Sequence, residues 1–134
     1  KNKQWRFTPP THVLAAFNQA IKEHAKEGGI QGRYERYFNN CKIICDGMQE
    51  IGFKQLLSNK LQAPIIITFM QPKGFNFNQF YSALSQKNFL IYPGKLTVAD
   101  TFRIGCIGNL DQQDMKNTIN AIKEVLNELQ IKIQ

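Results

Sequence analysis

Thr101-Phe102-Arg103-Ile104-Gly105-Cys106-Ile107-Gly108 is the stretch from which the fold is read. Phe102, Ile104 and Cys106 alternate with Arg103 and Gly105, and a period of two predicts a β-strand with one face in a core. The opposite face then carries a guanidinium two residues from a glycine, which leaves room above the sheet. A planar fork of donors beside open backbone suits a carboxylate, gripped through two parallel hydrogen bonds. An arginine paired with a neighbouring Asp or Glu, or lying along the surface, satisfies the same pattern.

Downstream, Asn109 or Asp111 can cap a last helix. Its inner seam is Met115, Ile119, Ile122, Leu126 and Leu129, at helical spacing. Upstream, Pro93-Gly94 is a turn signal after a short strand over residues 89–92, and Lys95 beyond it is a candidate to face a cleft or to stay solvated. Phe77, Phe80, Tyr81 and Leu84 give a short amphipathic helix, and Pro72 and Gly74 make the turn before it. The β-branched run at 65–70 predicts a strand buried on both faces. Residues 53–57 are a candidate short strand.

The first half of the chain is helical. Val13, Leu14, Phe17, Ala20 and Ile21 recur at three- and four-residue spacing, and Gly28-Gly29 ends that helix. Pro10 suits its start, where Thr8 or Thr11 can supply a capping hydroxyl. A hydroxyl and free N–H groups at a helix start also suit an anion. The second helix carries Tyr34, Tyr37, Phe38, Cys41, Ile44, Cys45, Met48 and Ile51 on one broad face. Arg33, Glu35, Arg36, Asn39, Asn40, Lys42 and Asp46 lie mainly outside it, and Gly52 stops the helix. Two long helices followed by alternating strands and shorter helices predict an α/β (α+β) domain, a small mainly antiparallel sheet covered by helices on one face.

Composition narrows the function. The chain has 134 residues, 43% hydrophobic and ten of them phenylalanine, enough for one domain with a real core. The longest apolar run, residues 65–70, is far too short to cross a membrane. The basic residues 1–6 lead into Pro9-Pro10 and a helical pattern, where a secretory signal would have an apolar segment, so a cytoplasmic protein is expected. The sequence opens without Met, which sets the expectation of a piece of a longer protein. Cys41, Cys45 and Cys106 are expected to be buried and reduced. His12 and His24 lie in another helix, and no metal-ligand spacing appears. A net charge of +7 suits an anionic partner, but the basic residues are scattered, where a nucleic-acid footprint would be a dense stripe. No nucleophile elbow, phosphate loop or dinucleotide fingerprint is present. Taken by itself the chain reads as one that binds and does not catalyse.

Seven motifs in order carry a resemblance. They are Phe-Thr-Pro-Pro-Thr-His-Val at 7–13, Gly-Gly at 28–29, Arg-Tyr at 36–37, Gly-Met-x-x-x-Gly-Phe at 47–53, Pro-Ile-Ile at 64–66, Phe-x-Ile-Tyr-Pro-Gly-Lys at 89–95 and Thr-Phe-Arg-Ile-Gly-x-Ile-Gly at 101–108. Together they resemble the C-terminal part of the 2-aminoethylphosphonate–pyruvate transaminases, class V aminotransferases of fold type I that use pyridoxal 5'-phosphate (PLP). The resemblance implies that residues 1–134 are the small domain of such an enzyme, with 1–27 the helix leading out of a large domain absent from this chain. It implies that Arg103 binds the carboxylate of pyruvate or alanine, and that Thr8 reaches the PLP phosphate of the partner subunit in a homodimer. The parent would pass the amino group of 2-aminoethylphosphonate to pyruvate in a ping-pong exchange, giving phosphonoacetaldehyde and L-alanine in phosphonate catabolism. The Schiff-base lysine would belong to the large domain, so this chain alone is expected to be inactive. Cys106 stands where the family usually has asparagine, which implies altered packing. Two rivals are a related alanine–glyoxylate or serine–pyruvate aminotransferase, and a stand-alone basic α/β binding module for RNA or an acidic ligand.

Overall fold

The computed structural model describes residues 3, 5–95 and 98–133; Lys1 of the basic N-terminal group lies outside them. The chain divides into two compact units, Lys1–Glu35 and Arg36–Gln134. In the first, α1 runs over Thr11–Lys26. Gly28 and Gly29 follow at positive φ (98° and 67°), a conformation that L side chains avoid, and so break the helix. α2 (Gly29–Ile51) starts there, and Arg33 ties its first turns to Glu27 through an ion pair at 2.7 Å. The apolar stripe of α1 is exposed: Val13, Leu14, Phe17 and Ile21 are 45% to 66% exposed.

The second unit holds the rest of α2 and then β1 (Ile66–Met70), α3 (Phe77–Gln86), β2 (Tyr92–Pro93), β3 (Thr101–Gly105) and α4 (Gln112–Glu128). Its three-stranded sheet is antiparallel in the order β1-β3-β2, so the strand read first is the central one. Phe102 and Ile104 of β3 and Ile67 and Phe69 of β1 enter one core with Ile44 and Met48 of α2, Phe80 and Leu84 of α3, and Ile119, Ile122 and Val125 of α4. The Phe102 ring sits 5.3 to 6.1 Å from those of Phe53, Phe69, Phe75, Phe77 and Phe80. Such a cluster fixes the backbone of β3 firmly. Asp111 caps α4 by accepting from the N–H groups of Gln113 and Asp114, while the Asp114 carboxylate accepts from the Asp111 N–H. Gly47 lets α2 and α4 approach, since a Cβ there would lie 2.7 Å from Ile119.

Four sequence expectations are corrected. β1 is buried on one face only, with Ile67 and Phe69 inside and Ile66, Thr68 and Met70 half-buried, because helices cover a single side of the sheet. Residues 53–57 form no strand; Gln55 makes an isolated bridge to Phe69. The strand expected over 89–92 shifts to Tyr92–Pro93, because Ile91 turns into the core. Asn40, placed among the outward residues of α2, is fully buried, its amide donating to the carbonyls of Cys106 and Leu110 at 3.3 and 3.0 Å.

Candidate functional site

β3 sends alternate side chains to opposite faces of the sheet. Phe102 and Ile104 anchor the core, which leaves Arg103 and Gly105 on the face without helices. In register, Arg103 lies between Thr68 of β1 and Tyr92 of β2. Its Nε donates to the carbonyl of Pro93 at 3.1 Å, and its guanidinium carbon lies 6.0 Å from the centre of the Tyr92 ring. Among the described residues no carboxylate pairs with it. The internal ion pair that sequence alone left open is therefore not formed with any described Asp or Glu. At Gly105, a Cβ would find nothing within 4 Å, so the floor beside the arginine is open. A half-buried guanidinium held along one edge, whose terminal nitrogens meet no acceptor among the described residues and which has open backbone next to it, can take a planar anion end-on.

The segment that holds Arg103 depends on Gly94. A Cβ at this position would stand 2.0 Å from the Thr101 hydroxyl and 2.5 Å from the Thr101 carbonyl oxygen, which instead accepts the Gly94 N–H at 2.9 Å. Tyr92 and Gly94 were missed as neighbours of the arginine. The Pro-Gly turn signal was the clue, but the pairing register that sets Tyr92 opposite Arg103 is a tertiary fact. Lys95 is exposed and forms no recorded contact.

Thr8 is exposed ahead of α1, in the first unit. Neither it nor Thr11 caps the helix: Pro10 takes the N-cap position, and among the described residues no side chain bonds the first-turn N–H groups. The capping role is thus corrected. Pro9 before the cap position and Pro10 at it restrict the backbone, which keeps the Thr8 hydroxyl from the capping geometry.

The thiols occupy the core side. Cys41, Cys45 and Cys106 are free and buried. The sulfurs of Cys41 and Cys45 lie 3.9 Å apart, Gln55 donates to Cys45 at 2.8 Å, and Cys106 donates to the Ile65 carbonyl at 3.3 Å. The hydrogen bond to Cys106, with burial behind it, pushes the Cys41 thiol up to about 11. Cys45 is raised by its bond to Cys41 and by burial, while Cys106 is lowered by the bond from Cys41. All three are enclosed by the core, and Cys41 and Cys45 are in addition held protonated, so the thiols belong to packing. Among the described residues no group of His, Cys, Asp or Glu could hold a metal ion, and no helix is long and apolar enough to cross a membrane.

No family model matches the chain. Individual proteins do. A 2-aminoethylphosphonate–pyruvate transaminase of Pseudomonas fluorescens is 48% identical over 98% of this chain and 36% of its own length. One from Rhizobium meliloti is 48% identical over 98% of this chain and 35% of its own. The chain thus spans about a third of the length of the curated relatives it matches. Among solved structures, pyridoxamine–pyruvate aminotransferase of Mesorhizobium loti superposes with a TM-score of 0.84 at 18% identity, over 98% of this chain and 34% of that one. Alanine–glyoxylate aminotransferase of Nostoc sp. gives 0.82 at 21% identity, over 94% and 34%. The fold is one found within these aminotransferase chains, and over nearly its whole length the sequence is homologous to proteins named 2-aminoethylphosphonate–pyruvate transaminase.

Proposed function

We propose that this chain, homologous to about a third of each 2-aminoethylphosphonate–pyruvate transaminase it matches, is the small C-terminal domain of such an enzyme. Residues 1–27 would be the helix leading out of the large domain. The parent moves the amino group of 2-aminoethylphosphonate to pyruvate, giving phosphonoacetaldehyde and L-alanine, and works as a homodimer. The single observation that carries this is Arg103, a guanidinium that no carboxylate among the described residues pairs with, beside the open backbone of Gly105.

Arg103 receives the carboxylate of pyruvate and, on return, of alanine. With Nε committed to Pro93, the terminal nitrogens form the gripping edge, so the keto acid is fixed in both position and plane. The cofactor such an enzyme needs is PLP, and the residues present fit its phosphate end only. The exposed Thr8 hydroxyl stands just ahead of first-turn N–H groups that no side chain caps, a combination suited to a phosphate. Its ring and its Schiff-base lysine have no counterpart in this chain and belong to the large domain. When bound, PLP supplies the electron sink for amino-group exchange. Thr8 then serves the partner subunit's phosphate, and Arg103 sets the acid end of the substrate.

Arg103→Lys in the full-length parent tests this. A single ammonium cannot replace a two-point grip. The pyruvate half-reaction should fall by about 10-fold to 100-fold, as expected for losing a charge-assisted hydrogen bond, while the 2-aminoethylphosphonate half-reaction changes far less. An unchanged pyruvate dependence in single-turnover kinetics removes Arg103 from the site. A donor screen against serine and alanine, read from the cofactor's absorbance, separates the alanine–glyoxylate alternative.

A further inference from the structure

We propose that a basic hollow in the second unit, lined by Lys54, Lys73 and Lys132 together with Gly52, Met70 and Gln71, binds a small polyanion carrying two or more phosphoryl groups. The hollow measures about 530 Å³, within the range of small-molecule sites. Its lysines come from three separate segments that the fold gathers. Lys54 follows the buried Phe53, and its carbonyl accepts from Met70 at 2.8 Å, so its backbone is fixed along the edge of β1. Lys73 sits in the turn after β1 that the bond from Phe75 N–H to Pro72 closes at 3.0 Å. Lys132 lies between Ile131 and Ile133, both packed against the core, and Ile133 closes on Gly52 to within 3.1 Å of where a Cβ would stand. The Cα positions are therefore set by buried neighbours, although the lysine side chains themselves are exposed.

Among the described residues no carboxylate lines this hollow and none of the three lysines is in an ion pair. The acids nearest in sequence are otherwise engaged or absent from the lining. Glu50 pairs with Lys123 at 3.7 Å and Glu128 with Lys87 at 2.9 Å, while Asp100, whose backbone carbonyl accepts from the Gln71 N–H, is not among the residues that line the hollow. Like charges held together repel, and a multivalent anion relieves all three at once. No arginine lines the site. Compact ammonium groups act as point charges, so affinity rises with the charge of the anion, which is greater on tripolyphosphate than on orthophosphate or citrate.

Calorimetry and amide-resolved NMR on the full chain at low salt, with inorganic tripolyphosphate, orthophosphate and citrate, test the proposal. Tripolyphosphate should give saturable shifts at Gly52, Lys73 and Lys132 and bind about tenfold or more tighter than orthophosphate. Lys73→Gln and Lys132→Gln should each weaken it about fivefold or more, the scale of one charge-assisted contact. Lys116→Gln, on the exposed side of α4, should not. Absence of saturation, equal weakening by Lys116→Gln, or citrate binding as tightly as tripolyphosphate would each overturn it.

Discussion

Arg103 donates from Nε to the Pro93 carbonyl at 3.1 Å, and that bond exists because the next residue has no side chain. With a Cβ, residue 94 would collide with both the hydroxyl and the carbonyl of the buried Thr101. Gly94→Ala should therefore lift β2 from β3 at a cost of about 1–3 kcal/mol, the usual range for overpacking. Urea denaturation of the chain reads this as a lower midpoint at constant slope. In the full-length parent the same change should raise the KM for the keto acid by loosening the guanidinium. An unchanged midpoint would show that the two strands tolerate the methyl.

Gly47 makes the equivalent close approach between helices. Its absent Cβ would lie 2.7, 2.8 and 3.0 Å from three carbons of Ile119. Alanine at a helical glycine position ordinarily gains about 1 kcal/mol, but here the contact should reverse the sign. Gly47→Ala is expected to destabilise by about 1–2 kcal/mol, and pairing it with Ile119→Val should recover part of the loss. A double-mutant cycle with no coupling between the positions would contradict this packing.

The strand pattern around Arg103, the seam of α4 and the Asp111 cap were legible because each rests on local spacing. One-sided burial of β1 was not, since a run of β-branched residues looks the same whether one face or two are covered. Asn40 was misread for a related reason. Helical spacing set it beside the polar residues of α2, whereas two carbonyls of the loop after β3 draw it inside. At the candidate site, alternation put Arg103 and Gly105 on one face. Tyr92 and Pro93 joined them only through pairing register, which no short window of sequence encodes. The apolar stripe of α1 was read correctly as a stripe, yet its residues stay exposed, because periodicity says which face is apolar and not what covers it.

Asn40 offers a charge test of that loop. Its amide nitrogen donates to Cys106 and Leu110, so a carboxylate in its place would set acceptor against acceptor without water. Asn40→Asp should cost about 3 kcal/mol or more at neutral pH. The buried Asp would hold its proton more tightly folded than unfolded, so the deficit should shrink as pH falls below neutrality. Asn40→Ala should be milder and independent of pH in that range. Equal, pH-independent losses in both variants would refute the donor role.

The thiol chain predicts how stability changes at alkaline pH. Cys41 is held up to about 11 by its bond to Cys106 and by burial, against an ordinary value of 9.0. The folded chain thus keeps a proton that the unfolded chain releases first. This contribution is fully present below about pH 9 and is lost as pH climbs towards 11, by the linkage between proton binding and unfolding. Cys45 is raised and acts in the same direction, whereas the lowered Cys106 offsets part of it. The Cys41 share of this loss, from 9.0 to about 11, should be on the order of 2 kcal/mol. The informative quantity is the difference between the chain and its Cys41→Ala variant. The urea midpoint of the variant should start lower, from lost packing, and then fall less steeply above pH 9. Parallel pH profiles would mean that the Cys41 proton is not held by the fold.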